Sequence, residues 1–185
     1  MAHDLPLLAT QPARLPAVQG EWIDRSRALT FRFEGRDYVA YEGDSISAAL
    51  WASGRRVLGR SFKYHRPRGV LSLANHDTNA LMQCGCLPNV RADVTAVASG
   101  MELSAVNTFG GVDNDRAAIL GRLSRFLPVG FYYKAFHNKT LFPKWERMFR
   151  AITGLGKLDL TAARKPTPKR YDFCDVLVIG AGPSG

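Results

Sequence analysis

The sequence predicts an α+β protein: a β-grasp domain in which a mixed sheet wraps one helix, then a helical linker, then the first strand of a truncated Rossmann-type α/β domain. Three observations carry that expectation. Apolar residues alternate with polar ones from Leu29 to Tyr41 in the manner of a β-hairpin, a single short helical pattern, SISAALWAS, follows with further strand-like runs behind it, and the final stretch DVLVIGAGPSG is an apolar run entering a glycine-rich turn.

Residues 1–19 hold four leucines and three prolines without a period, and are expected to form an extended arm. Residues 20–106 hold the β-grasp pattern. Leu29, Phe31 and Phe33 alternate with Thr30, Arg32 and Glu34, Gly35 and Asp37 supply a turn, and Tyr38 to Tyr41 return. Asp44 is the expected cap of the helix, Ile46, Ala49 and Leu50 share its buried face, and Gly54 closes it from the C′ position. Further strands are expected at Val70–Ala74, Ala80–Cys84, Val90–Val97 and Met101–Val106.

Residues 107–170 read as a helical and basic linker. Asp115 to Phe126 carries a helical pattern stopped by Pro128, and the following Phe126–Phe136 run, FLPVGFYYKAF, packs five aromatics into eleven residues. Trp145, Met148, Phe149 and Ile152 stand at i, i+3, i+4 and i+7, the apolar stripe of an amphipathic helix ended by Gly154, with core packing as its expected role. ARKPTPKR, Ala163 to Arg170, is a proline-broken basic connection.

Residues 171–185 read as the start of a dinucleotide-binding domain. Val176 to Ile179 have the composition of a strand buried on both faces, and Gly180, Gly182 and Gly185, with Ala181, Pro183 and Ser184 between them, fit G-x-G-x-x-G. In that motif the glycines permit a tight turn, close approach of a pyrophosphate, and close packing of helix on strand. The helix that would hold the phosphate on its N-terminus lies past Gly185, and a chain broken inside the turn is the expectation.

The charge balance points to anionic company. Lys and Arg number 25 against 16 Asp and Glu, a net charge of +9. Six of those cations stand in RRVLGRSFKYHRPRG, Arg55 to Gly69, which holds no acid. Phe62, Tyr64 and His65 interleave with them, so phosphates and bases, a cofactor phosphate, an acidic partner surface and a plain solvated loop all remain open readings. No apolar run reaches a membrane span and the N-terminus lacks the build of an export signal, so a cytoplasmic protein with no membrane partner is expected.

Cys84, Cys86 and Cys174 are an odd number of thiols, expected to be reduced. The spacing C-x-C with one remote cysteine fails the four-thiolate count of a plant-type [2Fe–2S] site, and no spacing supports zinc, so these cysteines read as structural or incidental. His76 and Asp77 in LANHDTNA read as turn chemistry, and no catalytic constellation stands out.

Five segments carry a family resemblance: GRSFKYHRPRG (59–69), TNALMQ (78–83), PNVRA (88–92), SRFLPVGFYYKAF (124–136) and YDFCDVLVIGAGPSG (171–185). Together they resemble the N-terminal part of the alpha subunits of heterotetrameric sarcosine oxidases, from about Gly20 to Gly185. The resemblance implies a ferredoxin-like domain without a cluster, so that no iron–sulfur cluster is expected. It implies NAD at Gly180, Ala181, Gly182, Pro183, Ser184 and Gly185, FAD, FMN and tetrahydrofolate elsewhere in a flavoprotein complex, and beta, gamma and delta subunits as partners. It further implies oxidative demethylation of sarcosine to glycine with hydrogen peroxide and formaldehyde or methylene-tetrahydrofolate as products, no nucleic acid, and a chain inactive by itself. The alternative is a non-catalytic ferredoxin-like module of a related flavin-dependent amine dehydrogenase complex, docking through Arg55 to Arg68.

Overall fold

The computed structural model describes residues 11–71, 77, 81–126, 130, 138–152, 159–161 and 168–177. Strand β1 (Asp24–Phe33) and strand β2 (Arg36–Glu42) pair antiparallel, with Phe33 opposite Arg36. That register leaves Glu34 (φ 51°) and Gly35 (φ 76°) as the two turn residues, both left-handed, which is the backbone a type I′ hairpin turn requires. Glycine accepts this conformation freely. Glu34 is held in it by its own carboxylate, which accepts hydrogen bonds from Ala105 N at 2.7 Å and Val112 N at 2.8 Å.

Helix α1 (Ile46–Ala52) follows. Its cap is Ser45, whose hydroxyl accepts from Ala48 N, rather than the expected Asp44. Asp44 is buried and taken by Arg14, whose Nη1 and Nη2 donate to Oδ1 and Oδ2 at 3.1 and 2.6 Å, while Tyr41 N donates to Oδ2. At the other end Gly54 stands in the left-handed conformation as expected of a C′ glycine.

Two short strands, β3 (Gly59–Arg60) and β4 (Pro67–Arg68), form a separate ribbon. The main sheet is completed by β5 (Leu81–Cys84), β6 (Leu87–Arg91) and β7 (Glu102–Ala105). Its order is β2-β1-β7-β5-β6, with β1 and β7 parallel and every other pair antiparallel. This mixed sheet under one helix is β-grasp-like. The core lies between them: Phe31, Phe33, Ala40, Met82 and Leu103 from the sheet meet Ile46, Ala49 and Leu50 of α1, with Leu58 and Val112 from the connections. Full burial of each large side chain contributes about 1.5–3 kcal/mol.

Several expected elements differ. The strand placed at Val90–Val97 ends at Arg91, because the next residues turn to satisfy α1: Ser47 N donates to Ala92 O and Ile46 N to Thr95 O. Val70 and Leu71 are not in a strand, and the remainder of that expected strand lies outside the described residues. Residues 11–19 of the expected extended arm are fastened to the domain, through Arg14 to Asp44, Ala13 N to Ala52 O and Gln11 Nε2 to Val39 O.

Beyond the sheet, the helical pattern from Asp115 to Phe126 breaks into a 3₁₀ turn at Arg116–Ala118, a single turn α2 (Ile119–Arg122) and another 3₁₀ turn at Ser124–Phe126. Helix α3 (Phe142–Ile152) carries the second amphipathic pattern, yet Phe142 and Met148 are exposed and Trp145 only half-buried, so the stripe is not core at those positions. Gly154 and most of the aromatic run 126–136 lie outside the described residues. Among the described residues no helix is long and apolar enough to cross a membrane.

Candidate functional site

The basic segment is built as a tight turn on the β3–β4 ribbon. Ser61 N donates to Arg66 O, His65 N to Ser61 O and Arg66 N to the Ser61 hydroxyl, which folds residues 61–66 back on themselves. Gly69 ends the segment against Arg56, where an added Cβ would stand 2.3 Å from the Arg56 carbonyl oxygen. Only a residue without a side chain permits that approach.

At the turn's apex His65 adopts a left-handed backbone (φ 51°) and points inward. Its Nδ1 lies 2.6 Å from Asp115 Oδ2, with both side chains buried. Asp115 Oδ1 accepts from Phe109 N and Ala117 N, so one carboxylate ties the basic turn to the start of the linker and caps the Arg116–Ala118 turn. Arg60 reinforces the tie by donating to Val112 O through Nε and Nη2 and to His65 O through Nη1. The His65 ring packs 5.7 Å from that of Phe109.

The cations of this segment therefore divide by role. Arg60 is spent on backbone carbonyls, and Arg55 on Asp113 at 2.9 Å and on the face of Phe33. Arg56 stacks on Trp51, while Lys63 and Arg66 flank the Tyr64 ring. Arg66 and Arg68 remain exposed beside exposed Phe62. His65, which the sequence offered as a ring that could stack on bases, is a structural anchor.

Cys84 and Cys86 sit at the β5–β6 hairpin, where Cys84 pairs with Leu87 across a turn of Gly85 and Cys86. Both are free thiols. Burial pushes the Cys84 thiol above its ordinary range, with the neighbouring Cys86 adding to the rise. Since the thiolate is the nucleophile, Cys86 should be alkylated by iodoacetamide at pH 8 well before Cys84, measurable by mass spectrometry over a time course. Equal rates at the two thiols would contradict the burial of Cys84.

Asp77, expected as turn chemistry, is buried; its carboxylate accepts from Leu71 N and its own N–H donates to Asp93 Oδ2. His76 lies outside the described residues. A cavity of about 610 Å³ separates the 13–25 segment from α1, lined by apolar groups such as Leu15, Val18, Ile23 and Trp51. Its charged members are already paired, Arg14 with Asp44 and Glu21 with Arg25, and the Arg25 hydrogen bond holds the Glu21 carboxyl below its usual range.

The expected dinucleotide turn, Gly180, Ala181, Gly182, Pro183, Ser184 and Gly185, lies outside the described residues. Of the strand expected before it, Val176 and Leu177 are described; both are exposed and neither is in a strand. A strand of the doubly buried kind needs neighbours on both sides, and the described residues supply none.

Comparison with known proteins gives three findings. Residues 26–108 match the family of the 2Fe-2S iron-sulfur cluster binding domain. The chain is 42% identical over 171 residues to the sarcosine oxidase subunit alpha of Rhizobium meliloti (strain 1021), covering 88% of this chain and 17% of that protein. It is 30% identical over 182 residues to the sarcosine oxidase subunit alpha of Corynebacterium sp. (strain U-96), covering 95% of this chain and 14% of that one. The chain thus spans roughly a sixth of the length of these relatives. Among solved structures, L-proline dehydrogenase from P. horikoshii is similar with 28% identity and a TM-score of 0.37, covering 43% of this chain and 16% of that one.

The domain match corrects the expectation that no iron–sulfur cluster is involved: residues 26–108 match a family described as binding a 2Fe–2S cluster. That expectation rests on the family resemblance together with the cysteine count. The donors of this chain do not fit the usual four-thiolate site: three cysteines are present in the sequence, and among the described residues no group of three or more His, Cys, Asp or Glu is arranged to hold a metal. With a match to the 2Fe-2S cluster binding domain family at residues 26–108 and similarity extending over nearly the whole sequence, the chain is similar to one part of the sarcosine oxidase alpha subunits.

Proposed function

We propose that this chain serves as part of the alpha subunit of a cytoplasmic sarcosine oxidase, an oxidoreductase assembled with beta, gamma and delta subunits. The observation that carries the reading is the 42% identity over 171 residues to the Rhizobium meliloti subunit. The complex would oxidise the methyl C–N bond of sarcosine: two electrons and two protons pass from substrate to oxygen, giving hydrogen peroxide. Water then releases the methyl carbon as formaldehyde and leaves glycine, or tetrahydrofolate takes the carbon as its methylene derivative.

The contribution we assign to the described residues is architectural. The β-grasp-like sheet is a rigid platform, and the His65–Asp115 bond fixes the linker to it. Gly180 to Gly185 are assigned to a dinucleotide pyrophosphate on their spacing alone.

The test is a chimera. The matching region of the Rhizobium meliloti subunit is replaced by this chain, the product is co-expressed with that enzyme's other subunits, and sarcosine-dependent hydrogen peroxide is measured. Assembly with turnover within about tenfold of the parent is expected. A chimera that folds and assembles but makes no peroxide would remove the reading.

A further inference from the structure

We propose that the exposed cationic face shared by the 62–68 turn and the 119–125 segment is a docking surface for an acidic protein partner. The two segments are distant in sequence and contiguous in space. His65 Nδ1 meets Asp115 Oδ2, and Gly121 comes so near the turn that an added Cβ would stand 3.2 Å from the Tyr64 carbonyl oxygen. Each segment brings a pair of exposed arginines, Arg66 with Arg68 and Arg122 with Arg125.

The two segments carry no opposing charge of their own. No Asp or Glu occurs in 55–69 or in 116–126, and Asp115 between them is buried against His65. The nearby Asp113 is taken by Arg55 and Arg36. None of the four arginines forms an ion pair among the described residues. Four like charges held together by buried bonds repel one another, and an opposing carboxylate surface relieves that repulsion.

A protein fits better than a nucleic acid. Phe62 and Leu123 are exposed in the same two segments as the arginines, and arginine with aromatic and apolar groups is the composition of protein interface centres. Tyr64 is already flanked by Lys63 and Arg66, and His65 is buried, which removes two of the three rings that could have stacked on bases.

This inference rests on the sarcosine oxidase reading for the choice of partner, taken to be one of the companion subunits. Three variants of the chimera separate the two ideas: Arg66→Glu with Arg68→Glu, Arg122→Glu with Arg125→Glu, and a control of equal charge change, Lys169→Glu with Arg170→Glu. Each is co-expressed with tagged Rhizobium meliloti companion subunits, and dissociation is measured between 0.05 and 1 M salt, with circular dichroism reporting the fold. The first two variants should dissociate at least about tenfold more readily than the control at low salt, the difference shrinking at high salt. Indistinguishable assembly of all three would overturn the docking surface while leaving the parent assignment intact. Loss of poly(U) RNA binding in the same two variants, with assembly unchanged, would replace the protein partner by a nucleic acid. Failure of the unaltered chimera to assemble would overturn both.

Discussion

Arg14→Met should lower the stability of the chain by about 3 kcal/mol, the lower end of what is lost when one member of a buried ion pair is removed. Asp44 is wholly inside, and Arg14 pairs with it, making two hydrogen bonds to it and stacking 4.9 Å from the Tyr41 ring. After the substitution the Asp44 carboxylate keeps only the Tyr41 N–H among these contacts. Methionine restores some of the packing without the charge. For a domain of this size the loss corresponds to a fall of roughly 12 °C or more in the unfolding midpoint, read by circular dichroism. Arg14→Met with Asp44→Leu should recover most of it, because the buried charge goes with its partner. A single substitution that leaves the midpoint within two or three degrees would mean that residues 11–19 are not fastened as described.

Asp115→Ala should cost a similar amount, on the order of 3 kcal/mol, since it strands three groups at once: the His65 ring and the N–H groups of Phe109 and Ala117. The partner substitution His65→Ala should be smaller in effect. Combining the two should be less than additive by about 1 kcal/mol or more, the mark of a direct contact, measured by urea unfolding of the four proteins of the cycle. Additive losses would show that the bond is not formed in solution. The cycle also bears on assembly, because the bond ties the 62–68 turn to the segment that leads into Arg122 and Arg125.

The local patterns were legible in the sequence, and the long-range ones were not. The β1–β2 hairpin, the buried face of α1 and the Gly54 terminator follow from alternation, helical spacing and a glycine, all of which act within a few residues. The cap was misassigned for a physical reason: Asp44 has the right chemistry, but Arg14, thirty positions away, claims it, and Ser45 takes the role. His65 and Asp115 are fifty positions apart, so no local pattern announces their bond. The interruption of the 115–126 helix was signalled only by Gly121, a residue whose close approach to Tyr64 becomes visible in three dimensions. The cysteine count was read correctly as a count, but the family match shows that it could not exclude a cluster-binding type of domain.

The sheet order also decides when this domain can become itself during synthesis. Strand β1 is made early and its hairpin partner β2 follows directly, but its inner neighbour β7 begins only at Glu102. Until that segment leaves the ribosome, one edge of β1 has no partner, and the apolar face of Phe31 and Phe33 is roofed by α1 alone. A nascent chain stalled before residue 102 is thus a two-stranded ribbon with a bare edge, the kind of intermediate that chaperones hold and that aggregates when they do not. The four residues Glu102–Ala105 enter between the β1–β2 and β5–β6 hairpins, both of which precede them in the chain.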